Sequence, residues 1–99
     1  MRPIHLARLD EVRPVLVLTR DVVRRYLTNV TIAPITSTTR GLSTEVPVGA
    51  RNGLDHDSVV SCDDITTIPA RQLRQQVGYL LPAQEHALTE AIVAAFDLD

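Results

Sequence analysis

The run Arg13-Pro14-Val15-Leu16-Val17-Leu18-Thr19 limits the fold more than any other stretch of the chain. Four consecutive aliphatic residues bounded by a proline are too few for an ordinary helix and present no polar face. They read as a strand buried on both sides. About twenty residues later, Val30-Thr31-Ile32-Ala33-Pro34-Ile35-Thr36-Ser37 is rich in β-branched residues and stops at a Thr/Ser cluster, the pattern of a neighbouring strand. The first run holds Arg13 at the mouth of a rigid element, and the second ends on Thr36. Side by side, the two strands would set a guanidinium next to a hydroxyl, which suits a phosphate group.

The 99 residues are 44% hydrophobic, enough for one small core and one domain spanning 1–99. The apolar residues are mostly Val, Leu, Ile and Ala, with two Tyr, one Phe and no Trp, so an aliphatic core built by strands is expected. The single cysteine, Cys62, cannot form an internal disulfide. No basic N-terminal head precedes an apolar run of signal length, and no window approaches the roughly 18 apolar residues of a membrane span. The expectation is a cytoplasmic protein with no membrane partner.

Net charge is −2, which alone gives no reason to expect nucleic acid. Its distribution is uneven. Residues 1–40 carry seven Arg against three acids, residues 41–99 three Arg against nine acids, and Lys is absent. An all-Arg basic set is compatible with forked phosphate recognition, and equally with a GC-rich genome.

In chain order, Ile4, Leu6 and Leu9 alternate imperfectly with polar residues as a half-exposed first strand, joined to the Arg13 strand by a tight hairpin at Asp10-Glu11. Apolar positions 22, 23, 26 and 27 fit a turn or two of amphipathic helix, with Arg20, Arg24 and Arg25 solvated. Pro34 removes a ladder donor, which predicts an edge or a bulge. Residues 36–43 read as a flexible polar loop with Arg40 near its tip, and residues 44–48 as a strand. Asn52-Gly53 centres a turn. Residues 58–65 read as a strand continuing or kinking to Ile68, Pro69 opens a helical turn through Leu73, and residues 77–81 form a last strand with Gly78 at a bulge. From Pro82, positions 87, 88, 91, 92, 95 and 96 make one apolar stripe of a C-terminal helix. Five to seven short strands and a terminal helix predict a mainly β, α+β chain curled into a small barrel.

These motifs, with Gly53-Leu54 before Ser58-Val59-Val60 and then Ile65-Thr66-Thr67-Ile68, follow the order and spacing of the MazF/PemK toxins, which the chain resembles over nearly its whole length, most closely the actinobacterial members. The resemblance implies an SH3-like, CcdB/PemK-like barrel that forms a homodimer and cuts single-stranded RNA at short motifs. It also implies a MazE-like antitoxin partner that holds the toxin inactive. Arg13 and Thr36 fall at the matching catalytic positions, Arg13 to clamp the phosphorane and Thr36 to hydrogen-bond a phosphate oxygen or the 2′-OH. Attack by that 2′-OH needs no metal and no cofactor, and leaves a 2′,3′-cyclic phosphate and a 5′-OH.

Ser37, Thr38 and Arg40 follow the catalytic strand as candidates for RNA contact or as solvated loop. Asp63 and Asp64 are candidates for reading base edges, with a structural role or metal binding as alternatives. Arg13 itself has a second reading, as an ion-pair partner of Asp10 or Glu11. His5, His56 and His86 have no ligand spacing and read as surface residues, and Cys62 as a small buried hydrophobe. A groove for RNA phosphates would attract an acidic disordered segment of the antitoxin. The family usually joins its first two strands by a longer loop that covers RNA. Only about three residues do so here, which predicts a more open site able to take folded RNA. The competing readings are a CcdB-like toxin acting on DNA gyrase and an inactive RNA-binding barrel. The Arg13/Thr36 pair argues against the first.

Overall fold

A single eight-residue strand, β3 (Asn29–Thr36), is the spine of the molecule, because three strands pair along its two edges. The computed structural model describes residues 1–24 and 26–98. One edge of β3 carries β2 (Val12–Val17), itself the partner of β1 (Pro3–Arg8). The other edge carries β6 (Thr66–Pro69) beside residues 29–32 and β5 (Ser58–Ser61) beside residues 35 and 36. β4 (Glu45–Val48) extends the sheet beyond β5, and β7 (Leu73–Tyr79) beyond β1. A four-residue α1 (Asp21–Arg24) and a C-terminal α2 (Glu85–Phe96) complete the described residues.

Alternation along β2 explains why four aliphatics occur in a row. Leu16 faces Ile4, Ala33, Ile35, Val60, Leu80 and the α2 residues Leu88 and Ala91, which form the larger core. Val15 and Val17 point the other way, into a second cluster with Ala7, Val30, Ile32 and Ile68. Residues 15–17 are at most 1% exposed, so the strand is covered on both faces as its sequence predicts.

Pro34 is on the central strand rather than at an edge. Leu18 N–H donates to the Thr31 carbonyl at 2.8 Å, which makes 18–31 a hydrogen-bonded pair; every second pair down that ladder is bonded likewise, and 15–34 is not. The Pro34 nitrogen therefore points away from β2, into the gap where β6 has ended at Ile32 and β5 begins at Ile35. Pro14 falls on the next bonded position of the same ladder, opposite Ile35, and has no N–H to give. The β2–β3 ladder accordingly stops at Val15 and Pro34, and β3 crosses over to β5.

Several elements differ from the expectation. The segment at 58–65 breaks after Ser61 into a 3₁₀ turn at Cys62–Asp64, so Asp63 and Asp64 sit on a turn. The last strand runs from Leu73 through the polar Arg74, Gln75 and Gln76 because its partner is β1, and its register shifts on either side of the His5–Gln76 pair. Helix α1 stops after one turn. Val22 stays 72% exposed, and Arg24, expected in solvent, pairs with Asp21. Arg25 lies outside the described residues. On α2 the buried stripe narrows to Leu88 and Ala91, with Ala87 exposed and Phe96 54% exposed.

The loop between β4 and β5 is welded to β7. Asn52, 1% exposed, donates through Nδ2 to the Tyr79 carbonyl at 2.8 Å and to Gln84 Oε1 at 2.7 Å, while its Oδ1 accepts from Gly49 N–H at 3.1 Å. Backbone crosses backbone at this point. A methyl on Gly78 would collide with the Asn52 carbonyl, and one on Gly53, at φ +87°, with the Val77 carbonyl.

Candidate active site

Register and parity together bring Arg13 and Thr36 to one place. Paired residues of β2 and β3 sum to 49 as far as Val15–Pro34, where the ladder ends; Arg13 and Thr36 each lie two residues past that last pair, on the parting ends of the two strands. Arg13 has the parity of Val15 and Val17 on β2, and Thr36 that of Val30 and Ile32 on β3, so both alternate onto the face away from α2. The two strands separate here because of Pro14, which opens the space between the pair. In the same row, Ala7 pairs with Arg13, Thr36 with Val59, and Val59 with Pro47.

The hairpin turn holds the guanidinium. Arg13 Nε donates to Asp10 Oδ1 at 3.2 Å, one terminal nitrogen donates to Asp10 Oδ2 at 3.4 Å, and that nitrogen lies 3.2 Å from Glu11 Oε1. The ion-pair alternative is thus present in the molecule, with both acids. Its strength is modest. The Arg13 side chain is 39% exposed and the two acids more so, so water screens both pairs. The Arg13 hydrogen bond, followed by that from Glu11 N–H, holds the Asp10 carboxyl below its ordinary 3.8.

Thr36 is prepared differently. Its Oγ1 accepts from Thr38 N–H at 3.1 Å, which turns a lone pair toward the loop and leaves the hydroxyl proton to donate elsewhere. Ser37, Thr38 and Arg40 are all exposed on the loop that follows. That loop is tethered rather than free. Glu45 accepts from the Arg40 N–H at 3.3 Å and the Leu42 N–H at 3.1 Å, and Thr44 donates through Oγ1 to Asp63 at 2.6 Å. Asp64 accepts from Ser61 Oγ at 2.8 Å. Each of the two aspartates therefore commits an oxygen to the turn or loop around it.

The histidines stay apart. His56 and His86 are exposed, whereas His5 is half-buried and its Nδ1 hydrogen-bonds the Arg74 carbonyl at 2.8 Å. Among the described residues no group of three or more His, Cys, Asp and Glu side chains could hold a metal ion. Cys62 is 1% exposed, and burial, with the Asp63 charge second, pushes its thiol up to about 11. No helix among the described residues is long and apolar enough to cross a membrane.

A curled seven-stranded sheet with one terminal helix, carrying an arginine and a threonine at the parting of two central strands, defines a small barrel protein. The family model of the PemK-like, MazF-like toxins of type II toxin–antitoxin systems matches residues 4–96, and the chain belongs to that family. Endoribonuclease MazF3 of Mycobacterium tuberculosis is 68% identical over 99 residues, covering all of this chain and 96% of the relative. Probable endoribonuclease MazF2 of the same species is 38% identical over 84 residues, covering 84% of this chain and 82% of that protein. The solved structure of M. tuberculosis toxin MazF-mt6 superposes with a TM-score of 0.97 at 67% identity over 99% of both chains. A mycobacterial endoribonuclease solved with its cognate antitoxin shares the fold at a TM-score of 0.87 and 23% identity, over 98% of this chain and 93% of that one.

Proposed function

We propose that the chain is an endoribonuclease toxin that cleaves single-stranded RNA by attack of the ribose 2′-OH on the adjacent phosphate. The observation that supports this reading is that Arg13 and Thr36 each lie two residues past the last β2–β3 pair, Val15–Pro34, in a chain similar to relatives named endoribonucleases. Arg13 leaves Asp10 and Glu11 for the phosphate and neutralises charge on the phosphorane. Thr36 donates its free proton to a phosphate oxygen. A guanidinium is too weak a base to take the 2′-OH proton, and a carboxylate is the group beside it that can. Asp10 is suited to that step. Its affinity for a proton is depressed by Arg13 and recovers as the guanidinium moves to the phosphate. Products are a 2′,3′-cyclic phosphate and a 5′-OH, with no metal required.

Ser37, Thr38 and Arg40 contact flanking phosphates, while Asp63 positions their loop through Thr44. Asp63 and Asp64 each retain one oxygen for a base amino group. Only residues 9–11 join β1 to β2, so nothing on that side overhangs Arg13, and an RNA loop can enter as readily as an unpaired strand. The toxin works as a homodimer in the cytoplasm. Met1 and Tyr79, 72% and 44% exposed, line one cleft and leave apolar surface for a second copy. Its inhibitor is an antitoxin whose acidic segment folds into the RNA groove.

The test is incubation of the protein with long RNA in excess EDTA, with sequencing of the new 5′-OH ends. Cutting at one short motif is expected, with Arg13→Ala and Thr36→Val silent and Thr36→Ser active. Undiminished cutting by the first two variants would overturn the site.

A further inference from the structure

We infer that the cleft beside Thr36 is a specificity pocket for one nucleobase carrying an exocyclic amino group, with Asp57 as the residue that reads it. The inference rests on the endoribonuclease reading above. A cleft of about 530 Å³ opens at the β4–β5 end of the sheet, lined by Thr39, Pro47, Arg51, Asp57 and Val59 among others. Its place in the sheet is fixed by register. Thr36 pairs with Val59 and Val59 with Pro47, so two members of its lining continue the catalytic row. Strands lie about 4.8 Å apart, which puts Pro47 roughly 10 Å from Thr36, within reach of the base of a neighbouring nucleotide. Thr39 follows Thr36 by three residues, so the catalytic strand leads directly into the cleft wall.

The lining has the chemistry of base recognition. Pro47, exposed above the buried Val59, supplies an apolar surface for a base face, and the exposed Arg51 guanidinium can stack on the other side. The exposed Asp57 carboxylate lies close against Gly49, whose Cβ position would be 3.0 Å from its Oδ1, and both residues line the cleft. Among the described residues no hydrogen bond or ion pair engages the Asp57 carboxylate or the Arg51 guanidinium, although both line this cleft. An ionised carboxylate only accepts, so it favours bases with an amino group and rejects uracil, whose edge presents carbonyl oxygens at the same height.

Asp57→Asn retains shape and converts one acceptor into a donor. The expected result, read from the sequences around the new 5′-OH ends, is a change at one motif position: an amino-bearing base favoured over uracil by the unaltered protein, and a preference reduced about tenfold or reversed toward uracil in the variant. Asp57→Ala should flatten that position without the reversal. Unchanged motifs in both variants, or loss spread over every position, would overturn the pocket while leaving the nuclease standing. Absence of cuts by the unaltered protein would remove the nuclease reading and the pocket with it.

Discussion

Replacing Asn52 by alanine should be among the most damaging single changes outside the large core. Asn52 is 1% exposed and holds four partners: the Tyr79 carbonyl, Gln84 Oε1, the Gly49 N–H and, at 3.3 Å, Gln84 Nε2. Gln84 can absorb its own loss, since its Oε1 also accepts from Leu81 N–H at 2.9 Å and its Nε2 reaches the Pro47 carbonyl at 3.4 Å. The Gly49 N–H and the Tyr79 carbonyl lose their Asn52 partner. Each such group costs about 1–3 kcal/mol when water cannot reach it, so a loss of about 3 kcal/mol is expected. For a domain of this size that lowers Tm by roughly 12–24 °C. The assay is urea and thermal unfolding of both proteins at one concentration, since any self-association makes Tm concentration-dependent. The urea slope should stay constant while the midpoint falls. A loss below about 1 kcal/mol would refute the premise that this amide ties the 49–53 loop to β7 and α2.

Gly78→Ala should cost at least as much, because its methyl meets the Asn52 carbonyl and neither backbone can yield alone; unfolding of the variant at the parent midpoint would refute the crossing. Asp10 should titrate below its ordinary 3.8, so the ion pair is present above pH 3.8 and is lost as pH falls through the folded value; carboxyl NMR of Arg13→Ala should show that titration rising back toward 3.8. Cys62, with its thiol pushed up to about 11, should react with a disulfide reagent at pH 8 roughly two-hundredfold more slowly than a free cysteine, and at the free rate in denaturant. Equal rates in both states would show that the thiol is not buried.

What could be seen in advance follows from where the cause resides. The aliphatic run at 15–18 and the β-branched run at 30–35 carry their reason in their own residues, and both became central strands. Arg13 and Thr36 stood out because each bounds such a run. Arg74, Gln75 and Gln76 were invisible as a strand, since their extension comes from pairing with β1 and not from their own pattern. Val22 suggested a longer helix by spacing alone, but its side chain stays 72% exposed. The cleft at Asp57 left only the mark of Asn52-Gly53, because its walls come from four separate segments. Asn52 and Gln84 are 32 residues apart, and nothing local pairs them.

The position of β1 bears on how such a protein comes into being. Its Pro3 pairs with Tyr79 and its Ala7 with Leu73, so one edge of β1 waits until β7 has emerged. Closing so wide a loop comes before its contacts can reward it, and topologies of this kind fold on the millisecond-to-second scale. A nascent chain ending before β7 already holds Arg13 and Thr36, yet its first strand keeps a bare edge and its α2 is missing. Any harm this protein does to the cell that makes it is therefore deferred until β7 and α2 of the copy that does it have been made.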